Sequence, residues 1–187
     1  DGNSGDLKWE RHPPPDLSPI TSASIVDRNG DLYIYCRDIP VLHKIDSQTG
    51  NLQWAHRFVD HTTGNASSSS LSHDQQTVYH GRTARSVAYL YAINADDGTY
   101  KWAWSPEVSK GHSFAWCIPV VGDDGTVYIQ DEEFAHLYAV SDLGKVHALK
   151  WSYKREGKGA PRLPAVDAET IYSSYNKPQP VVFALDL

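Results

Sequence analysis

The chain has 187 residues, enough for one domain with a sizeable core, and its 40% hydrophobic and 21% charged content is that of an ordinary globular protein. A formal net charge of −6 argues against a nucleic-acid partner, because neutralising phosphates needs clustered Lys and Arg. Apolar runs such as Val181-Val182-Phe183-Ala184-Leu185 fall far short of the roughly 20 residues of a membrane-spanning helix.

The 11 tyrosines and 6 tryptophans favour strands, and 13 glycines with 11 prolines favour turns. In chain order, Gly5-Asp6-Leu7-Lys8-Trp9 comes first. A strand rich in small residues is expected at 21–26, then the hairpin turn Asp27-Arg28-Asn29-Gly30 and the strand Asp31-Leu32-Tyr33-Ile34-Tyr35. Leu42-His43-Lys44-Ile45-Asp46 and Gly50-Asn51-Leu52-Gln53-Trp54 complete the unit.

The set then recurs. Inner strands are expected at 68–72, 117–121 and 162–166. Aliphatic–Tyr strands follow at Val78-Tyr79, Val127-Tyr128 and Ile171-Tyr172. Third strands are Leu90-Tyr91-Ala92-Ile93-Asn94, Leu137-Tyr138-Ala139-Val140-Ser141 and Val182-Phe183-Ala184-Leu185-Asp186. The tryptophans Trp9, Trp54, Trp102 and Trp151 recur at intervals of 45, 48 and 49 residues. Four short strands at such a period predict an all-β propeller of four-stranded antiparallel blades.

The expected blades cover 18–58, 66–105, 114–153, and 161–187 completed by the N-terminal strand at 5–11. Joining the ends gives a closing interval of 45 residues. Three architectures satisfy this arithmetic: a self-closed ring of four blades, a homodimer exchanging terminal strands to build eight, or a trimmed piece of a longer propeller.

The turn Lys44-Ile45-Asp46-Ser47-Gln48-Thr49-Gly50 running to Trp54, and Asn94 to Gly98 and Trp102, resemble the repeat of the PQQ-like (pyrroloquinoline-quinone-type) propeller family. The resemblance implies that Trp9, Trp54, Trp102 and Trp151 dock between neighbouring blades, and that rings of eight blades are common. Units three and four depart from the pattern by two extra residues before Trp. The family includes quinone-dependent alcohol and sugar dehydrogenases and a non-enzymatic outer-membrane assembly lipoprotein. An adjacent-cysteine disulfide over the cofactor is absent here, because Cys36 and Cys117 are 81 residues apart, and the dehydrogenases' calcium-binding and catalytic acids find no match.

Loops joining strands two and three, and those leaving strand four, share one face of a propeller, where binding usually occurs. On that face Arg82 and Arg85 sit one blade from Asp131, Glu132 and Glu133, as a ligand-gripping rim or as an inter-blade ion pair. Trp104, His112, Phe114 and Trp116 fall in or beside one connection, as stacking residues for a sugar or peptide or as packing. Nine histidines form no metal-ligand pattern, no nucleophile elbow or phosphate loop is present, and buried free thiols are expected at Cys36 and Cys117. No catalytic residue and no metal site is assigned.

The expected function is a non-enzymatic binding or assembly platform for a protein or carbohydrate partner, needing no cofactor. Two alternatives remain open: a fragment or subunit of a dehydrogenase using PQQ with Ca²⁺, and a secreted sugar-binding lectin. The absence of Met, even at position 1, suggests a processed or trimmed chain, and an extracellular or periplasmic location is expected.

Overall fold

The computed structural model describes residues 5–10, 24–37, 39–58, 66–107, 111–114, 117–131, 133, 136–155, 164–175 and 179–187. Among them there is no helix. Blade 1 is the sheet β1 (Ile25–Val26), β2 (Leu32–Cys36), β3 (Val41–Ile45) and β4 (Leu52–Arg57). Blade 2 holds β5 (Ala66–Leu71), β6 (Thr77–Ala84), β7 (Val87–Asn94) and β8 (Tyr100–Trp104). Blade 3 holds β9 (Val120–Val121), β10 (Thr126–Gln130), β11 (His136–Asp142) and β12 (His147–Lys154). Blade 4 has three strands, β13 (Ala165–Val166), β14 (Thr170–Tyr175) and β15 (Val181–Asp186).

The inner strands β1, β9 and β13 are shorter than their expected spans, whereas β5 begins two residues earlier than expected. Pro119 and Pro164 precede β9 and β13 and donate no backbone N–H to a ladder. In the 1–2 hairpin of blade 1, Asp27 Oδ1 accepts the N–H groups of Asn29 and Asp31, and Gly30 takes φ +87°. That turn is hairpin chemistry, as its composition predicts.

Register repeats from blade to blade. The aliphatic–Tyr residue of each second strand lies opposite one residue of the third: Tyr33 and Lys44, Tyr79 and Ala92, Tyr128 and Ala139, Tyr172 and Ala184. The row continues across Lys44 to Trp54, Ala92 to Trp102 and Ala139 to Trp151. A bulge follows each of these last pairs, leaving Gln53, Lys101 and Lys150 as extra residues. The bulged side chains reach back inward, Gln53 to Asp31, Lys101 to Thr77 and Lys150 to Asp124 and Thr126.

These rows form the front of each blade, which meets the rear of the next. Each of the three core clusters is such a junction. Tyr33, Leu42 and Trp54 pack on Val78 and Ile93; Tyr79, Leu90 and Trp102 on Val127 and Val140; Tyr128, Leu137 and Ala139 on Ile171. Core burial is thus spread over the blade–blade contacts, where alternating side chains leave the pleat.

The tryptophans fix the junctions. The Trp54 indole donates to Ala95 O at 3.1 Å in the next blade, and that of Trp102 to Asp142 Oδ1 at 2.9 Å. Trp9 donates to Ser47 O at 2.8 Å, lying on blade 1 as Trp54 lies on blade 2. Trp151 is half-buried and packs against the cluster between blades 3 and 4. Residues 5–10 form no strand, and the described pairings include none between them and β15. The fourth strand expected from the N-terminus is therefore not seen in blade 4 of this chain; the segment is held on blade 1 by Trp9 and by Lys8, which donates to Gln48.

Glycine is required where the Trp9 and Trp54 indoles land, at Gly50 and Gly98. Gly98 has φ +73°, and a Cβ there would lie 2.7 Å from the Trp54 ring. Gly98→Ala is expected to lower stability by about 2–4 kcal/mol, combining left-handed backbone strain with overpacking. Gly125 has φ +79° with nothing within 4 Å of a built Cβ, so Gly125→Ala should cost only about 1–2 kcal/mol. Urea denaturation of the two variants checks the difference.

Candidate functional site

The loop face is organised around one position per blade, three residues beyond the repeat tyrosine: Cys36, Arg82, Asp131 and Tyr175. All four are buried, none more than 2% exposed. In blades 2, 3 and 4 this side chain meets the connection arriving from the preceding blade. The Arg82 guanidinium lies 5.4 Å from the Phe58 ring centroid, Asp131 pairs with His112, and Arg155 lies 6.0 Å from the Tyr175 ring. Three junctions thus use three chemistries at one place: cation on ring, carboxylate on imidazole, and ring under cation. Cys36 instead faces His43 Nδ1 at 3.7 Å, and burial raises its thiol pKa.

The blade 2–3 clasp is the most polar. His112 Nδ1 meets Asp131 Oδ2 and lies 3.2 Å from the Tyr138 hydroxyl. Asp131 Oδ1 accepts the Glu133 N–H at 2.7 Å. Burial, followed by the Asp131 charge, pushes the Tyr138 hydroxyl pKa up. The 111–114 segment is sewn to blade 2: Gly111 N–H donates to Ser86 O, Phe114 N–H to Thr83 Oγ1, and Thr83 Oγ1 to Ser113 Oγ.

A carboxylate-oriented imidazole is the arrangement of a general base. Here the Ser113 hydroxyl is engaged by Thr83, and the Tyr138 hydroxyl is held protonated by burial. His112 is 8% exposed and Asp131 is fully buried. Among the described residues, no three His, Cys, Asp or Glu side chains converge to hold an ion.

The sequence-expected site residues land as follows. Arg82 lies within β6 and not in a loop, because Arg85 and Ser86 make a two-residue turn at φ 49° and 62° without glycine. Arg82 is buried, whereas Arg85 stands exposed at the hairpin tip. Trp104 ends β8, is 6% exposed, stacks on Phe114 and meets Tyr138 edge-on at 5.0 Å. His112 and Asp131 come together, while Trp116 and Glu132 lie outside the described residues. Cys36 and Cys117 are free and buried.

Sequence reasoning missed Phe58, Tyr138, Arg155 and Tyr175. The signal was available in the equivalence of Arg82, Asp131 and Tyr175 along the second strands. An open cleft of about 400 Å³ on the opposite face, between blades 2 and 3, was also missed. Three of its carboxylates are engaged, Asp142 by Tyr79 and Trp102, Asp124 by Lys150 and Asp74 by Ser72.

Behind the clasp, His80 is fully buried, tilted on Tyr35 at 4.4 Å and bonded to Ser69 through Nδ1 at 3.0 Å. Desolvation, then the Arg82 and His56 charges, lower its pKa from 6.5 to about 3. Between these values the unfolded chain binds a proton that the folded one does not, so stability falls as pH drops from about 6.5 towards 3 and is unaffected above. His80→Gln is expected to flatten this limb in melts taken across that range. His112→Ala leaves Asp131 buried without its imidazole and should cost about 2–4 kcal/mol. Arg85→Asn, at an exposed left-handed position, should stay within about 0.5 kcal/mol. Urea midpoints check both.

A four-blade arc of this kind recurs in solved structures. The chain matches hydrazine synthase of Kuenenia stuttgartiensis with a TM-score of 0.69 at 11% identity, over 97% of this chain and 49% of that one. It matches quinohemoprotein alcohol dehydrogenase of Comamonas testosteroni with a TM-score of 0.62 at 16% identity, over 85% of this chain and 29% of that one. The WD40 domain of Toxoplasma gondii coronin matches with a TM-score of 0.66 at 11% identity, over 90% of this chain and 45% of that one. The chain therefore spans less than half the length of each, and the likeness is one of fold. Comparison with curated proteins finds no match. The profile of a PQQ-repeat family described as "Outer membrane protein assembly factor BamB" matches residues 39–187, most of the chain. The chain belongs to that family.

Proposed function

We propose that the chain is a non-enzymatic binding and assembly platform that receives a protein partner on its loop face. One observation carries this reading: the ionisable side chains Arg82, His112 and Asp131 are buried in blade junctions, while Arg85, Ser86 and Glu133 stand exposed around them. The family description as an assembly factor supports the same class of partner. The reading carries with it a location outside the cytoplasm, periplasmic or beyond. No helix among the described residues is long and apolar enough to cross a membrane.

Photo-crosslinking probes at Arg85, at Glu133 and, on the opposite face, at Lys145 test it in the native host. The expected result is one discrete protein adduct from the first two positions and none from the third. Equal adducts from all three would overturn the loop-face assignment. Dye reduction with alcohols or sugars after adding PQQ and Ca²⁺ would overturn the platform reading in favour of a dehydrogenase. Binding confined to a glycan array would replace the protein partner by a carbohydrate.

A further inference from the structure

On the face opposite the loops, the junction between blades 1 and 2 holds an ammonium of the chain's own. Lys44 is 7% exposed. Its Nζ lies 3.2 Å from Asp27 Oδ2, 3.7 Å from Asp31 Oδ2, 3.4 Å from Ala95 O and 5.3 Å from the Tyr33 ring centroid. A buried ammonium needs such a set, because an unmatched charge or N–H away from water is costly.

The junction between blades 2 and 3 repeats these walls without the lysine. Ser72 N–H donates to Thr77 O as Asp27 N–H donates to Asp31 O, so Ser72 and Thr77 hold the places of Asp27 and Asp31. Tyr79 holds the place of Tyr33. Asp142 holds that of Ala95: the Tyr79 hydroxyl and Trp102 indole donate to its carboxylate as the Tyr33 hydroxyl and Trp54 indole donate to Ala95 O. Where Lys44 stands opposite Tyr33, the uncharged Ala92 stands opposite Tyr79. The four counterparts of the Lys44 partners, Ser72, Thr77, Tyr79 and Asp142, all line the 400 Å³ cleft. Among the described residues no Lys, Arg or His is ion-paired with Asp142. Lys101 enters from the outer strand and is bonded to Thr77 at 2.6 Å, as Gln53 is bonded to Asp31 in blade 1.

We propose that this cleft is a binding site for a small, unbranched primary alkylamine. Its ammonium sits between Asp142, Ser72, Thr77 and the Tyr79 ring, as Lys44 Nζ sits among their counterparts in blade 1. The carboxylate supplies the charge, the two hydroxyls accept N–H groups, and the ring face takes the cation. A second ammonium on the same chain meets Asp123, whose side chain is exposed at the rim, so a diamine binds more tightly than a single ammonium. The cleft faces away from the loops, and the inference does not depend on the loop-face reading.

Titration of the isotopically labelled chain with 1,4-diaminobutane, followed by nuclear magnetic resonance at constant ionic strength, tests it. The amides of Gly125 and Gly144, which line the cleft, should shift and saturate. Asp142→Asn keeps an acceptor for the Trp102 indole and should weaken binding by about tenfold. Lys101→Gln, which brings in the residue type of Gln53, should strengthen it severalfold by removing a like charge. Tetramethylammonium, which has no N–H to donate, should give no saturating shift. Equal shifts from both cations, no saturation with the diamine, or an unchanged affinity in Asp142→Asn would overturn the proposal. Tighter binding of Nα-acetyl-lysine methylamide than of the diamine would also overturn it, in favour of a protein side chain.

Discussion

The structure depends on the indole of one blade docking on the next, and in the Trp54 junction the ring rests on a left-handed glycine. A four-stranded sheet alone buries too little to be stable, so each blade relies on its neighbours for its core. The Trp54 side chain sets the spacing of one such contact. Its ring lies against Gly98, where a methyl group would not fit, and its N–H ties the sheet to Ala95 O. Tyr33, on the same row, packs edge-on against it at 5.7 Å. Shape, one directed hydrogen bond and an aromatic pair together make the junction specific, not merely sticky.

Much of this was legible in the sequence because the junction is built from residues that repeat in composition as well as in place. The aliphatic–Tyr pair, the Asp- or Asn-led turn, Gly and Trp each mark a fixed physical role, so their spacing gave the blades and the docking tryptophans. The loop face was harder to read. Arg82 belongs to a strand because Arg85 and Ser86 adopt left-handed backbone without the glycine that usually announces such a turn. Trp104 was expected at a loop mouth, yet alternation along β8 puts it on the buried side with Trp102. The pairing of His112 with Asp131 depends on a connection crossing between blades, which no local pattern encodes.

The two sides of a blade divide labour. The row facing the next blade keeps its tyrosine and, in blades 1 to 3, its tryptophan, while the second-strand ends vary from thiol to guanidinium to carboxylate to phenol. Variation there changes how each incoming connection is gripped without disturbing the sheets. It lets a uniform scaffold present non-uniform loops, the property a recognition surface needs.

The account's central claim is that indole and glycine act as one unit. A double-mutant cycle of Trp54→Ala and Gly98→Ala tests it most directly. Once the ring is gone, Gly98→Ala should cost only its backbone strain, so its penalty should shrink by about 1–2 kcal/mol. Equal penalties in the two backgrounds would contradict the account.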